Sequence, residues 1–319
     1  MSSMLMKPET EEFKKHYCYV DKFNVPMSII ENTVKYREYE TGGMMILAPS
    51  GSGKSSIASK FIEDNKFKPV SNRDIKFGIY VEASGCSLDE FLTEILRQLS
   101  DPKPSYGNMG PKVSRIISLI DSLNVRVVFL DEIQVILPTT GIYPNSKVVK
   151  ILKELVNKTS AAWVLIGDPS ARSIIDIDSQ IRERFGLIHN LEPFNCKSDE
   201  DVYELLEYTF ELLRKYPRKS SYFRVLNNYL DEGVKPIKSN RHEDHLYRFC
   251  LATLGKPRLM RDLLCEAIEL TDEDAQVTNR ILQNAWTRRV GERSGLSFNP
   301  FVASMEKVKI EMTARNLYG

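Results

Sequence analysis

A short apolar run that leads into a glycine- and serine-rich loop constrains this chain more than any other feature. The run Met44–Ala48 enters the loop Ala48-Pro-Ser-Gly-Ser-Gly-Lys-Ser55, and a helix-like segment follows over about 54–64. This order of strand, loop and helix matches the phosphate-binding pattern G-x-x-x-x-G-K-[ST], except that Ala48 replaces the first glycine. A chance Gly/Ser turn before a lysine would not explain the strand and the helix on either side.

Each position of the loop has a physical task. Glycines at 51 and 53 let the backbone turn so that successive N–H groups point at phosphate oxygens. Lys54 is expected to reach the β- and γ-phosphates, and the Ser55 hydroxyl to bind Mg²⁺. The loop therefore predicts ATP and Mg²⁺ as bound species. The predicted contact residues are Ser50, Gly51, Ser52, Gly53, Lys54, Ser55 and Ser56.

A second motif closes the apolar segment Val125–Glu132, which ends in two acids. Asp131 is expected to hold Mg²⁺ beside the loop serine, and Glu132 to polarise the water that attacks the γ-phosphate. Paired acids are also common where a strand enters a turn, so this pair is informative only together with the loop. The interval between the two motifs leaves room for further helices and a strand.

Short apolar segments alternate with helical ones as far as about residue 191. The expected strands are Met44–Ala48, Ile75–Ala83, Val125–Glu132, Ala161–Gly167 and Leu187–Leu191. The expected helices between them run over about 54–64, 88–99, 113–123, 146–158 and 171–185. This alternation predicts an α/β fold, a parallel five-stranded sheet with helices on both faces.

After Pro193 the strand pattern ceases and the apolar spacing becomes helical, which predicts a small all-α lid domain. We therefore expect four regions along the chain. They are an N-terminal extension over 1–40, an α/β P-loop ATPase core over 41–194, an α-helical lid over 195–290 and a C-terminal tail over 291–319.

Four further positions favour an AAA+ ATPase that works as an assembly. Asp168 follows the fourth strand, where a polar residue either senses the γ-phosphate or caps the next helix. Arg182 and Arg184 precede the last strand, where an arginine either reaches a neighbouring subunit's phosphate or forms a surface ion pair. Arg258 begins a helix of the lid and is positioned to close onto nucleotide. The predicted catalytic residues are Glu132, Lys54, Arg184 and Arg182.

Composition narrows the partners. Lys and Arg total 44 against 43 Asp and Glu, a net charge of +1, which excludes binding to nucleic acid by overall charge but not by a locally basic face. The five cysteines are scattered without a CxxC pair, as is typical of reduced thiols. No segment approaches the roughly 20 apolar residues that span a bilayer, and the first residues lack a signal-peptide core. We therefore expect a cytoplasmic protein without a membrane partner.

The order of these motifs resembles the AAA+ ATPases of transposition, the TnsC and TniB family. The likeness covers roughly residues 40–270 and lies in the following segments: APSGSGKS, VVFLDEIQVIL, VLIGDPSARSII, QIRERF and GKPRLMRDLLCEAIEL. The chain departs from the family pattern at Ala48 and at Asp168, where relatives often carry Thr or Ser.

The resemblance implies an ATP-dependent regulator that oligomerises as a ring or filament on duplex DNA without sequence preference. It implies that such an assembly links a target-selection protein to the transposase, and that hydrolysis controls disassembly. A few lysines per subunit, repeated around a ring, would then suffice for phosphate contact. The candidate lysines, each also interpretable as an ordinary surface residue, are Lys103, Lys112, Lys147 and Lys150.

Three other functions compete with this interpretation. An initiator- or loader-type AAA+ ATPase usually carries an added DNA-binding domain, for which the residues after 270 are few. A signalling NTPase that switches between ADP- and ATP-bound states normally has a long repeat domain. An ATP-gated scaffold would assemble in the same way, but its function would not depend on hydrolysis.

Overall fold

The computed structural model of the chain describes residues 6–37, 42–66, 76–83, 87–137, 146–232 and 243–319. Their contacts divide them into two units. A helical unit contains the residues up to Phe23, the loop residues Gly51–Gly53 and the residues from Pro193 onward. An α/β unit contains the remaining residues between Asn24 and Glu192. The expected boundary between 40 and 41 lies outside the described residues, whereas the division at Pro193 falls next to the one expected at 195.

The secondary structure alternates as far as Asn190 and is helical beyond it. The strands are β1 (Gly43–Leu47), β2 (Gly78–Glu82), β3 (Val127–Asp131), β4 (Ala162–Gly167) and β5 (Leu187–Asn190). The helices as far as β5 are α1 (Pro8–Lys15), α2 (Asp21–Tyr36), α3 (Lys54–Asp64), α4 (Leu88–Gln98), α5 (Met109–Ser122), α6 (Lys147–Lys158), α7 (Ser173–Ile177) and α8 (Ser179–Phe185). Those after β5 are α9 (Asp199–Leu213), α10 (Arg224–Glu232), α11 (Glu243–Thr253), α12 (Pro257–Glu269), α13 (Asn279–Ala285), α14 (Gly291–Ser294) and α15 (Met305–Ala314).

The five strands form one parallel sheet in the order β2-β3-β4-β1-β5, which confirms the predicted fold class. Every residue of β1, β3 and β4 is buried. Strands covered on both faces lose all their side chains to the core, which explains why these segments are continuously apolar rather than alternating. The sheet is therefore enclosed by helices, with β2 and β5 as its edges.

The strand order brings three loops together at the carboxyl ends of the strands. β1 pairs with β4 so that Leu47 lies opposite Gly167, and β3 pairs with β4 so that Leu130 lies opposite Leu165. Parallel strands point their carboxyl ends the same way, so the loops after β1, β3 and β4 are neighbours. These are the loops that carry the predicted nucleotide motifs.

The helix expected over 171–185 is interrupted. A 3₁₀ turn over Pro169–Arg172 leads into α7, and α8 begins after Asp178. The Asp178 carboxylate accepts hydrogen bonds from the N–H groups of Gln180 at 2.9 Å and Ile181 at 3.1 Å. An aspartate in this role starts a new helix instead of continuing the preceding one.

The C-terminal segment is not a tail, which corrects the expectation for 291–319. Val308 and Met312 on α15 are fully buried, and the Leu317 carbonyl accepts a hydrogen bond from the Cys196 N–H at 2.7 Å. The Arg248 guanidinium donates to the carbonyls of Pro300 at 2.5 Å and Ala303 at 2.6 Å. This segment therefore belongs to the helical unit.

The N-terminal extension contains two helices, α1 and α2. On α1, Phe13 is buried and its ring lies edge-on to that of Tyr216, 5.2 Å between centroids. The Lys7 ammonium donates to the carbonyls of Ile268 at 3.0 Å and Thr271 at 2.7 Å, around the carboxyl end of α12. Cations at this end of a helix satisfy its last carbonyls.

Among the described residues, no helix is both long and apolar enough to cross a membrane.

Candidate active site

The loop after β1 has the backbone that its glycines predict. Gly51 and Gly53 take φ of +86° and +98°, in a region that disfavours side chains. Ala48 is fully buried, and its N–H donates to the Gly167 carbonyl at 3.0 Å, so the methyl group in place of the first glycine is accommodated. The Ser52 hydroxyl is also buried and has no hydrogen-bond partner among the described residues. A phosphate oxygen would supply that partner.

Lys54 and Glu132 form an ion pair beyond the carboxyl ends of the strands. The Lys54 ammonium lies 2.7 Å from Glu132 Oε1, and the lysine side chain is 5% exposed against 29% for the glutamate. An ammonium has three donors, and this contact uses one of them. The buried amine therefore retains donors for a phosphate, while the carboxylate stays in reach of water.

The second pair is Ser55 with Asp131, which joins the start of α3 to the end of β3. Asp131 is 1% exposed, and its Oδ2 accepts from the Ser55 hydroxyl and from the Tyr80 hydroxyl, both at 2.5 Å. Its Oδ1 accepts from the Glu132 N–H at 2.7 Å. Burial, and then the hydrogen bond to Asp131, raise the pKa of Tyr80, so this phenol remains a donor.

The sequence interpretation missed Tyr80. It lies on β2, which pairs with β3 so that Tyr80 is opposite Phe129. The available signal was a polar-tipped aromatic in the strand next to the acid-bearing one, and strand order is not visible in the sequence. Tyr80 fixes the carboxylate orientation that Ser55 also uses.

The donor set around Asp131 fits a magnesium ion. A serine hydroxyl and an aspartate carboxylate in direct contact provide hard oxygen ligands, which Mg²⁺ prefers. The residues that would hold the ion are therefore Ser55 and Asp131. An ion there would neutralise charge on the β- and γ-phosphate oxygens.

Asp168 and Gln134 lie beside the acid pair. The Asp168 carboxylate caps the 3₁₀ turn after β4, accepting from the N–H of Ser170 at 2.8 Å and from its hydroxyl. The Asp168 N–H donates to Gln134 Oε1 at 3.3 Å, and Gln134 Nε2 donates to Glu132 Oε2. The helix-capping interpretation of Asp168 thus has direct structural support, whereas its role towards a γ-phosphate remains a proposal.

Both candidate finger arginines lie on α8, before the edge strand β5. The Arg184 guanidinium donates to Asn157 Oδ1 at 2.5 Å and to the Gln180 carbonyl at 3.0 Å. Arg182 is exposed and donates to the Asp176 carbonyl at 3.3 Å. Burial, and then the charge of Arg184, lower the pKa of the neighbouring Arg37.

In the helical unit, Arg258 is exposed in the first turn of α12. Its backbone N–H donates to the Gly51 carbonyl at 3.2 Å, and a Cβ at Gly51 would lie 3.4 Å from the Arg258 Cβ. The glycine therefore admits the close approach of this helix. Ser50 and Ser56, the outermost of the predicted contacts, are both exposed.

Lys112, one of the lysines predicted to contact DNA, is buried, so that prediction is wrong. Lys112 is 2% exposed, and its ammonium lies 2.6 Å from Asp89 Oδ2 and 3.0 Å from Thr93 Oγ1 on α4. It joins two helices of the α/β unit and presents no charge to a partner. Lys103, Lys147 and Lys150 are exposed. The latter two line a surface cavity of about 620 Å³ together with the first turn of α5.

Solved structures with a similar fold come from an archaeon and an animal. Aeropyrum pernix ORC2, solved as ADPNP-ADP complexes, is 15% identical with a TM-score of 0.54, over 91% of this chain and 74% of that one. C. elegans PCH-2 is 16% identical with a TM-score of 0.51, over 90% and 72%. Aeropyrum pernix ORC1 in complex with DNA is 14% identical with a TM-score of 0.50, over 84% and 64%. At these identities the likeness shows the fold.

Sequence comparison provides the family. A search of curated proteins finds no significant match. The model of the family described as "Bacterial TniB protein" matches residues 15–195, which is more than half of the chain and includes the loop after β1 and both acids after β3. With its nucleotide motifs set in an AAA+ fold, the protein is an ATP hydrolase, and the resemblance noted in the sequence is confirmed: the chain belongs to the TniB family.

Proposed function

We propose that this ATPase, which is of the transposition-regulator or initiator kind, assembles on duplex DNA and connects target-site selection to the transposase. The observation that supports the proposal most strongly is the pairing of Lys54 with Glu132 and of Ser55 with Asp131 in a TniB-family chain. This constellation can bind and hydrolyse ATP, and the family belongs to transposition. Hydrolysis then times the release of the assembly.

In this proposal the described residues divide the work on ATP. Lys54 and the loop N–H groups bind phosphate oxygens, Ser55 and Asp131 hold Mg²⁺, and Glu132 accepts a proton from the attacking water. Arg184 or Arg182 stabilises transition-state charge at a neighbouring subunit's site. Asp168 and Arg258 respond to the bound nucleotide.

Sedimentation with a slowly hydrolysed ATP analogue tests the assembly. Large nucleotide-dependent complexes are expected on duplexes of arbitrary sequence, and they should be lost when Lys54 is replaced by alanine. An initiator-type ATPase would instead select particular sequences; ORC1, which has a similar fold, was solved in complex with DNA. A monomer that ignores DNA under every condition would contradict both and support a signalling switch.

The salt dependence of DNA binding tests the lysines. Replacing Lys103, Lys147 or Lys150 singly by methionine should weaken binding on all sequences and lower the slope of log K against log salt by about 1 per lost phosphate contact. Lys112→Met is the matched control, since it removes the same formal charge from a buried position. Equal weakening by the control variant would show that net charge, not local contact, governs binding.

Subunit mixing tests the finger. Arg184→Ala should lower kcat about 10³-fold or more, without loss of nucleotide binding. Mixed with Glu132→Gln subunits, which have an intact finger and still bind nucleotide but cannot use Glu132 as a base, it should regain activity in shared assemblies. Arg182→Ala is the control on the same helix. No recovery on mixing would contradict action in trans, and recovery with Arg182→Ala alone would assign the finger to Arg182.

A further inference from the structure

The Gln134 side chain connects two groups that require opposite hydrogen-bonding partners. Its Nε2 donates to Glu132 Oε2, and its Oε1 accepts from the Asp168 N–H at 3.3 Å. A carboxylate can only accept and a backbone N–H can only donate. The reversed amide would face donor to donor and acceptor to acceptor, so these neighbours fix its orientation. Few side chains can link such a pair.

The backbone around Glu132 places its carboxylate between two donors. Glu132 takes φ of +54°, an uncommon conformation for a residue with a side chain, and a 3₁₀ turn over Ile133–Ile136 follows at once. Ile133 and Ile136 are buried and anchor that turn. Lys54 holds one carboxylate oxygen and Gln134 the other.

Nucleotide binding places a second demand on Lys54. Its ammonium uses one donor for Glu132 and has its remaining donors available to β- and γ-phosphate oxygens, so it no longer serves Glu132 alone. Among the described residues, Gln134 is the other side chain in contact with the carboxylate. Its amide is neutral, so it can orient Glu132 without competing for the proton that a catalytic base must accept.

The end of β4 reserves the space for this amide. A Cβ at Gly167 would lie 2.7 Å from Gln134 Oε1 and 2.7 Å from the Ala171 Cβ. Real Cβ atoms do not approach other atoms so closely, so a larger residue at 167 would displace Gln134. The Gln134 side chain after β3 therefore fits against the end of β4 only because residue 167 is a glycine.

We propose that Gln134 is a positioning residue for ATP hydrolysis. It holds Glu132 towards the attacking water and is itself held by its hydrogen bond from the Asp168 N–H. The inference rests on the proposed role of Glu132 as the base. Gln134 itself touches no reacting atom. Its contribution should therefore appear in kcat and disappear when Glu132 can no longer act as a base.

Steady-state ATPase kinetics of the full-length chain test this. Gln134→Leu should lower kcat about 10- to 100-fold and leave KM within about threefold of wild type, since no phosphate contact is lost. Gln134→Glu should fall at least as far, because two carboxylates would then face each other. Gln134→His, which has one donor and one acceptor, should restore most of the activity. Gln98→Leu is the matched control, because it removes a Gln–Glu hydrogen bond of 3.1 Å from the exposed face of α4.

A double-variant cycle separates positioning from general damage. In a Glu132→Gln background, single-turnover hydrolysis should lose nothing further when Gln134→Leu is added. A loss of the same size in both backgrounds would overturn the inference, as would an unchanged kcat in Gln134→Leu. An unchanged kcat in Glu132→Gln alone would instead overturn the proposed role of Glu132. Gly167→Ala, whose Cβ would displace the Gln134 amide, should lower kcat in the same direction as Gln134→Leu.

Discussion

Replacing Lys54 by alanine is expected to remove ATP turnover and weaken nucleotide binding, while the chain remains folded. Loss of a preorganised donor to a phosphate costs about 10²–10³-fold in kcat, and the ground-state contact to the phosphates disappears as well. The partner left behind is Glu132, whose side chain is 29% exposed and keeps its hydrogen bond from Gln134. Water can solvate that carboxylate, so the free energy of unfolding should fall only modestly.

The measurements are nucleotide affinity by titration calorimetry, kcat by a coupled assay and stability by urea denaturation. Lys60→Ala is the matched control, because Lys60 lies on the same helix α3 and pairs with Glu63 and Asp64 at its surface. The control should retain wild-type affinity and turnover. Turnover within about tenfold of wild type in Lys54→Ala would locate the phosphates away from this loop.

The parts of the site that sequence predicted are those fixed by local chemistry. Gly51 and Gly53 need positive φ, and Lys54 and Ser55 follow them at the start of a helix. Asp131 ends a continuously apolar strand, which is itself a sign of burial on both faces. Each of these features depends on neighbours in the chain, so the pattern was recognisable without a structure.

The parts that sequence missed depend on which strands and helices meet. Tyr80 contacts Asp131 because β2 lies beside β3, and no local pattern states that order. Lys112 was interpretable from the sequence as a surface lysine, but it lies on α5, which begins at Met109, and its ammonium contacts Asp89. Sequence analysis included Gln134 only as part of a motif, because its second partner, the Asp168 N–H, follows another strand.

The prediction of a C-terminal tail over 291–319 was wrong for a different reason. Half of the residues of helix α15 are apolar, but only two of them, Val308 and Met312, are buried, and these are one turn apart. The apolar Ile310 lies between them and is 65% exposed, so the apolar positions of this helix do not follow one face and the periodic signal is weak. Tertiary contacts, such as those of Arg248 with Pro300 and Ala303, stabilise what local propensity alone does not.

Glu132→Gln is expected to separate ATP binding from hydrolysis. The substitution keeps the shape of the side chain but removes its ability to accept a proton, which should lower kcat about 10²–10⁴-fold. The new amide would have one acceptor oxygen, for which Lys54 and Gln134 compete in the absence of nucleotide. Once Lys54 turns to the phosphates, Gln134 can take that oxygen. Nucleotide affinity should therefore stay close to that of wild type.

The same variant decides what hydrolysis is for. If hydrolysis times release, Glu132→Gln should assemble on DNA with ATP itself, as wild type does with a slowly hydrolysed analogue, and should dissociate far more slowly after dilution. Glu63→Gln on α3 is the control carboxylate, exposed and paired with Lys60 on its own helix. Release at the wild-type rate from a hydrolysis-deficient Glu132→Gln assembly would mean that turnover is incidental and that the protein acts as an ATP-gated scaffold. A long-lived assembly, with release restored in mixtures containing wild-type subunits, would show that ATP hydrolysis at Glu132 sets the lifetime of the complex on DNA.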